Sequence, residues 1–288
     1  MKLDEFTYDG SKAIHLNSVK CGAPKELKEQ KDDIRNKTAE NVKELSLLQE
    51  KLYADGREGL IIVFQARDAA GKDSAVKHIM SGINPAGVDV YSFKTPSKEE
   101  LAHDFLWRFN KALPERGKIA IFNRSYYEDV LIVRVRRLDK TYRMPERTLG
   151  KDFFEKRYEH ICNYEDELYD NGYQLVKIFL NVSNEKEKER FLERIDTPEK
   201  NWKFNPADIA ERALWDDYSE AYELMINHTS SKHSPWYVVP ADQKWYTHYV
   251  ISEIMLKRMK EIDPKFPEIS PEERAKLKEC REMLVNEE

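Results

Sequence analysis

The run "GLIIVFQARDAAGKDS", residues 59–74, joins an apolar segment to a turn that contains glycine and lysine. The P-loop pattern G-x-x-x-x-G-K-[ST] binds phosphate through backbone N–H groups and its lysine. Gly71 and Lys72 match this pattern, whereas Ala66 replaces its first glycine and Asp73 replaces its hydroxyl residue. The apolar run before the turn and a helix predicted to begin near Gly71 favour a phosphate-binding loop. An ordinary turn between a strand and a helix is the alternative.

Four other short runs are rich in β-forming residues and are separated by helical stretches. The first run and "KIAIFNR" are apolar nearly throughout, as expected for strands that are covered on both faces. This alternation predicts an α/β fold: a three-layer α/β/α sandwich with about five parallel strands. The four further strands are expected at "VDVYSFK" (88–94), "KIAIFNR" (118–124), "YQLVKIFLNV" (173–182) and "PWYVVPAD" (235–242).

The helical segments divide the chain around this sheet, which we expect to form one domain over residues 1–288. Apolar spacing predicts a helix from about Pro24 to Leu52 within an N-terminal segment, 1–55. A second helix is expected to start near Asn184, with Glu187 as its capping-box partner. A third is expected to start with Asn205 as its N-cap. The apolar face of this third helix is formed by Leu214, Tyr218, Tyr222 and Met225. Residues 184–206 are proposed as a lid. Residues 263–288 are expected to form a peripheral tail.

Composition narrows the classes of function. The net charge of -5 disfavours general nucleic-acid binding. The three cysteines lie far apart and form no C-x-x-C pair, so neither a disulfide framework nor a zinc site is indicated. The chain shows no signal-like apolar start and no apolar run near 18 residues. We therefore expect a cytoplasmic protein without membrane or nucleic-acid partners.

Two carboxylates in an anion-binding loop require an explanation. A carboxylate about 4 Å from a phosphate charge costs about 4 kcal/mol at an effective dielectric of 20. Mg²⁺ removes this conflict because it binds carboxylate and phosphate oxygens together. Asp68 is therefore predicted to hold Mg²⁺, with Mn²⁺ as an alternative metal. Asp73 is assigned to the metal, to orientation of the acceptor phosphate, or to compensation of the helix dipole.

Asn123 follows the predicted strand "IAIF", where a Walker-B strand usually ends in aspartate. Its neutral oxygen leaves Asp68 to supply more of the negative charge.

From residue 108 to 147 the chain has eleven lysines and arginines against five aspartates and glutamates. Arg108 and Arg124 are the better candidates for phosphate contacts, whereas Arg134, Arg136 and Arg137 fit a solvated helix face equally well. In the segment 184–206, basic residues suggest a lid that closes over phosphates, although they also fit a solvated surface.

Five motifs together resemble the family-2 polyphosphate kinases over roughly residues 20 to 260. They are "DAAGKDS" (68–74), "SFKTPSKEELAHDFLWR" (92–108), "RGKIAIFNRSYYEDVLIVRV" (116–135), "ERFLERIDTPEKNWKFNPADIAER" (189–212) and "HSPWYVVPADQKWY" (233–246). The resemblance implies a thymidylate-kinase-like P-loop fold with a helical lid. It also implies phosphoryl transfer, with Mg²⁺, between inorganic polyphosphate and adenine or guanine nucleotides.

The resemblance also suggests which residues form the site. Many family members have aspartate at the position of Asn123 and glycine at the position of Asp73; these departures resemble the branch that accepts both AMP and ADP. The expected catalytic residues are Asp68, Lys72, Asp73, Asn123, Arg124, Arg190, Lys200 and Lys203. The expected substrate-binding residues are Ala69, Ala70, Gly71, Ser74, Lys94, Arg108, Glu128, Asp129 and Arg194. The expected metal ligands are Asp68, Asp73 and Asn123.

We further expect a homo-oligomer, either a dimer or a tetramer. Two other functions stay open at this point. One is an ATP-dependent nucleotide kinase of the same fold. The other is a non-catalytic anion-binding or assembly protein, which the intact Lys72 together with Asp68 disfavours.

Overall fold

The computed structural model describes residues 1–287 and contains, within them, one six-stranded sheet. Its order is β1-β6-β5-β2-β4-β3, with β2 to β6 parallel and β1 antiparallel to β6. The strands are β1 (Thr7–Tyr8), β2 (Gly59–Ala66), β3 (Val88–Ser92), β4 (Ile119–Asn123), β5 (Tyr173–Asn181) and β6 (Trp236–Pro240). The five predicted parallel strands are confirmed. The two-residue strand β1 escaped prediction because it is too short to show a period.

Helices cover both faces of the sheet, as the unbroken apolar sequences of β2 and β4 require. They are α1 (Lys31–Asp55), α2 (Lys72–Ile79), α3 (Lys98–Leu101), α4 (Trp107–Asn110), α5 (Ile132–Val135), α6 (Phe153–Asp170), α7 (Asn184–Asp196), α8 (Ala207–Arg212), α9 (Trp215–Thr229), α10 (Lys244–Ile262) and α11 (Pro271–Val285). Helices α1, α2 and α10 pack on one face, whereas α6 and α9 pack on the other. The predicted three-layer α/β/α architecture is confirmed.

Strand β2 lies at the centre of the sheet, between β5 and β4. Every residue of β2 is buried. The chain leaves the carboxyl end of β2 between two strands that come later in sequence, and open α/β sheets bind ligands in such a crevice. The fold therefore places the loop after Ala66 and the residues after β4 at one edge of the sheet.

Several predicted helix boundaries are wrong. Helix α1 begins at Lys31 rather than near Pro24, and a 3-10 turn at Lys25–Leu27 precedes it. The N-cap of α7 is Ser183 rather than Asn184, since the Ser183 side chain accepts from the Lys186 N–H. Glu187 is therefore not a capping-box partner; it forms a buried ion pair with Arg212 instead.

The predicted helix after residue 205 is interrupted. Asn205 accepts from the Ala207 N–H, but the N-cap of α8 is Pro206, one residue later than expected. The helix ends at Arg212, and α9 starts at Trp215, so the apolar stripe belongs mainly to the second helix.

The carboxyl-terminal part of the described chain is solvent-exposed. Every residue from Lys265 to Glu287 is exposed, including all of α11. Across residues 1–287, the helices are all too short or too polar to cross a lipid bilayer.

Candidate active site

The loop between β2 and α2 has the backbone that phosphate binding requires. Gly71 caps α2 with φ of 107°, a left-handed conformation that strongly favours glycine. Ala69 also has a positive φ, 53°. A left-handed residue at a helix N-terminus helps to turn backbone N–H groups toward one concave surface, which forms an anion site.

Lys72 folds back into this loop. Its Nζ lies 3.0 Å from the carbonyl oxygen of Ala66 and 3.3 Å from that of Arg67, and it donates to both. Burial and, to a smaller extent, the charge of Arg124 lower the pKa of Lys72 to about 8, while the charge of Asp68 opposes that shift. The ammonium group is thus held where a phosphate placed on the loop would contact it.

Arg124 joins the loop to the segment after β4. Its Nη2 donates to Asp68 Oδ1 at 2.8 Å, and its Nη1 donates to Glu128 Oε2 at 3.3 Å. The carboxylate of Glu128 is the main cause of a raised Arg124 pKa, so the guanidinium stays charged. Arg124 has a left-handed backbone with φ of 66°, an uncommon conformation for a long side chain. The guanidinium therefore has a defined position between two carboxylates.

Asp73 and Asn123 also meet, as the sequence predicted. Asn123 Nδ2 donates to Asp73 Oδ1 at 2.9 Å. The described residues contain no group of three or more His, Cys, Asp or Glu side chains arranged to hold a metal. Mg²⁺ commonly uses one or two carboxylates and completes its shell with substrate phosphates and water. Asp68 Oδ1 contacts Arg124, and Asp73 Oδ1 contacts Asn123. The second carboxylate oxygen of each aspartate lies outside these two contacts, so the pair fits that requirement.

Arg190, on α7, supports the loop through the backbone. Its Nη1 donates to the carbonyl oxygens of Ala69 and Ala70 at 2.9 and 2.7 Å. Its Nη2 donates to those of Ala241 and Asp242, beyond β6, at 2.7 and 3.2 Å. The guanidinium consequently ties the phosphate-binding loop to the end of β6.

The other basic residues of the lid segment lie farther out. Arg194 donates to the carbonyl oxygen of Lys203 at 3.3 Å and lies 3.7 Å from a carboxylate oxygen of Asp208. Lys200 pairs with Glu193. Lys203 lies 4.9 Å from the ring centre of Trp202, which is 78% exposed.

The remaining residues that were predicted to bind substrate contact groups outside the phosphate-binding loop. Ser74 Oγ lies 3.3 Å from His248 Nε2 on α10, so it faces that helix. Lys94 is exposed, and its carbonyl oxygen accepts from Arg108 at 2.9 Å. Asp129 is buried 2.6 Å from Arg157 and accepts from Tyr142, so it belongs to a network with these two residues.

Sequence reasoning missed a pocket beside the loop. Arg67 is buried there, with its guanidinium 4.0 Å from the ring centre of Trp215 and its Nη2 2.5 Å from Ser219 Oγ. Burial lowers the pKa of Arg67. Its position directly before Asp68 was the available signal. The pocket is lined by Ala66, Arg67, Asp68, Arg124, Glu128, Glu187, Asp208, Glu211, Arg212, Trp215, Tyr218 and Tyr222.

Curated relatives share much of this chain. An ADP-polyphosphate phosphotransferase of Rhodopseudomonas palustris is 49% identical over 246 residues, which cover 85% of each chain. An AMP/ADP-polyphosphate phosphotransferase of Meiothermus ruber is 42% identical over 224 residues, which cover 78% of this chain and 80% of the relative.

Solved structures and a family model agree with these relatives. The crystal structure of polyphosphate kinase 2 from Arthrobacter aurescens superposes with a TM-score of 0.85 at 35% identity and covers 96% of both chains. The model of the polyphosphate kinase 2 family matches residues 28–267. On this match, and on the loop geometry that accompanies it, the chain belongs to the polyphosphate kinase 2 family.

Proposed function

We propose that this protein transfers phosphoryl groups between inorganic polyphosphate and nucleoside mono- and diphosphates, converting AMP to ADP and ADP to ATP. One observation carries the proposal: Lys72 and Arg124 converge with two carboxylates on a phosphate-binding loop at the carboxyl end of β2. The names of the two curated relatives support both the donor and the acceptors. Guanine nucleotides are further acceptors, in line with a Corynebacterium glutamicum relative named as a GDP-polyphosphate phosphotransferase.

The chemistry needs positioning and neutralisation of charge rather than a protein nucleophile. Phosphoryl transfer proceeds in line through a loose transition state with charge on the equatorial oxygens. Lys72 supplies a positive charge from the loop, and Arg124 supplies a second one from the end of β4. The acceptor is already an anion, so a strong general base is less necessary than for a hydroxyl acceptor.

Mg²⁺ is the proposed metal, with Mn²⁺ as a substitute. Asp68 and Asp73 would hold it, with the Asn123 amide beside Asp73. The bound ion would neutralise phosphate charge next to the two carboxylates. Arg124 keeps one oxygen of Asp68 oriented, and Asn123 does the same for Asp73.

The lid segment, 184–206, is proposed to contact the polyphosphate chain. Arg190 stabilises the loop from the inner end of this segment, while Lys200 and Lys203 lie toward solvent at its outer end. A basic lid that closes over phosphates would exclude water and add positive charge. We also propose a cytoplasmic location, where the nucleotide acceptors occur.

A homo-oligomer, either a dimer or a tetramer, completes the proposal. Its support is the apolar surface of α11, where Leu277 is 57% exposed, Met283 69% and Leu284 66%. Light scattering on the purified protein, alone and after removal of residues 265–288, measures the mass and tests the role of α11.

A donor assay tests the activity. Purified protein is incubated with Mg²⁺, polyphosphate and either AMP or ADP, and the products are separated by nucleotide chromatography. We expect ADP and ATP to form from polyphosphate, and Lys72→Ala to abolish their formation. Faster turnover of ATP with AMP in the absence of polyphosphate would instead identify an ATP-dependent nucleotide kinase.

A further inference from the structure

A buried polar cluster lies behind the turn that carries Arg124. It consists of Glu165 on α6, Lys177 on β5, the two tyrosines Tyr126 and Tyr127, and Ser234 before β6. All five side chains are buried, with at most 2% exposure for each residue. We call this group the Glu165 cluster.

The carboxylate of Glu165 is fully used as an acceptor. Its Oε1 accepts from the hydroxyls of Tyr126 at 2.8 Å and Tyr127 at 2.6 Å. Its Oε2 accepts from Lys177 Nζ at 2.6 Å and from Ser234 Oγ at 2.9 Å. A carboxylate offers about four lone-pair positions, so this arrangement leaves none unpaired.

Lys177 is equally saturated. Its three donors meet Glu165, the Tyr127 hydroxyl at 3.2 Å and the carbonyl oxygen of Thr229 at 2.6 Å. Burial lowers the pKa of Lys177, and the charge of Glu165 opposes that shift. Because apolar residues often replace a buried ion pair without loss of stability, stability alone does not account for this cluster. A role in fixing the geometry of the chain accounts for it better.

The cluster holds the middle of the turn from Arg124 to Glu128. Tyr126 and Tyr127 are the central residues of that turn, and both hydroxyls end on Glu165. Arg124 has its uncommon left-handed backbone at the start of the same turn. Such conformations persist only where the surrounding structure fixes them. The side chain of Arg124 must also meet Asp68 and Glu128 at the same time.

We propose that Glu165 and Lys177 are positioning residues for Arg124. They fix both tyrosines, and thereby the turn, so that the Arg124 guanidinium lies between Asp68 and Glu128. The expected loss of kcat rests on the proposed function. The positioning of the turn by the Glu165 cluster does not depend on that function. The Glu165 cluster itself touches no substrate.

The test removes only the phenol hydroxyls, through the double change Tyr126→Phe/Tyr127→Phe. Ser234→Ala is the matched control, because it removes a hydrogen bond to the same carboxylate without touching the turn. We expect kcat with polyphosphate and ADP to fall about 10-fold or more in the double variant, with KM changed less than about 3-fold. Ser234→Ala should change kcat less than about 2-fold. In an Arg124→Lys background, the tyrosine changes should add less than about 2-fold, because they act through Arg124.

Hydrogen exchange of the backbone over residues 119–131 supplies a readout independent of activity. The double variant should exchange faster there than the wild type, whereas Ser234→Ala should not. If the double variant does not fold, Tyr126→Phe alone carries the same test, with an expected loss of about 3-fold in kcat. Equal kcat and exchange in the tyrosine variants and the control would overturn the inference. An inactive wild type would overturn the proposed function, while the exchange experiment would still decide whether the cluster holds the turn.

Discussion

The phosphate-binding loop and the outer part of the lid segment, residues 197–206, both carry charged groups, but they use them differently. In the loop, Lys72 donates to backbone carbonyls, and Arg190 holds two further loop carbonyls from α7. In the outer lid, Lys200 pairs with the half-exposed Glu193, and Trp202 lies in solvent. Charges close to the sheet are therefore held by several contacts each, whereas Lys200 and Lys203 in the outer lid contact a single side chain each within residues 1–287.

This contrast predicts that substitutions in the loop act on the rate of transfer, whereas substitutions in the outer lid act on binding of polyphosphate. The following changes test it, from the largest expected effect to the smallest.

Lys72→Ala should have the largest effect. Loss of a positive charge that stabilises the transition state should lower kcat at least about 10²-fold. The fold should be retained, because the lysine contacts only two carbonyl oxygens of the loop. Steady-state assays with polyphosphate and ADP measure the loss. Lys77→Ala, an exposed lysine on the same helix, is the control. Near-normal turnover by Lys72→Ala would refute the loop assignment.

Arg190→Ala should affect both stability and rate. It removes donors to four carbonyl oxygens that join the loop to the end of β6. A loss of about 2 kcal/mol would lower Tm by roughly 4–8 °C. The kcat should fall by tens of fold because the loop loses its support.

Arg190→Lys separates the two explanations of that loss. A lysine keeps the charge but does not present the planar set of donors that reaches both pairs of carbonyls. If Arg190 acts by holding the loop, the lysine variant should stay close to Arg190→Ala in both Tm and kcat. Restoration of kcat by lysine would show that the charge alone matters.

Asp68→Asn should alter the metal requirement. The Mg²⁺ concentration that gives half-maximal activity should rise about 10-fold or more, because Asn123, which contacts Asp73, offers only a neutral oxygen. Asp73→Asn, measured in parallel, shows which carboxylate contributes more to metal binding. An unchanged Mg²⁺ titration for both variants would exclude these carboxylates as metal ligands.

The sequence was informative where function depends on neighbouring residues. Gly71, Lys72 and Asp68 follow directly on an apolar strand, so their convergence could be predicted from the order of residues alone. The parallel arrangement of β2 and β4 then brought Asn123 and Arg124 to the same edge. The family resemblance is confirmed by the match over residues 28–267.

Contacts between residues distant in sequence were not predictable. Arg190 was expected at phosphates, yet its guanidinium lies on carbonyls of two separate segments. Apart from its position directly before Asp68, Arg67 gave no sequence signal, and its burial depends on α9 packing beside the loop. Helix ends were also uncertain, since Ser183 and Asn184 are both suitable caps and only the backbone distinguishes them.

The smallest effect should come from the outer lid. Lys200→Ala/Lys203→Ala removes the partly exposed charge of Lys200 and the exposed charge of Lys203, so we expect the KM for polyphosphate to rise a few-fold at low salt. The increase should shrink at high ionic strength, because salt screens exposed charges over about 10 Å at 0.1 M. A smaller fall in kcat should accompany it if the lid also excludes water. Lys276→Ala/Lys278→Ala, on exposed α11, makes the same change in net charge away from the site and should leave KM unaltered. Unchanged polyphosphate kinetics in the lid variant at low salt would assign Lys200 and Lys203 to the solvated surface, and the contrast between the loop and the outer lid would then concern structure alone.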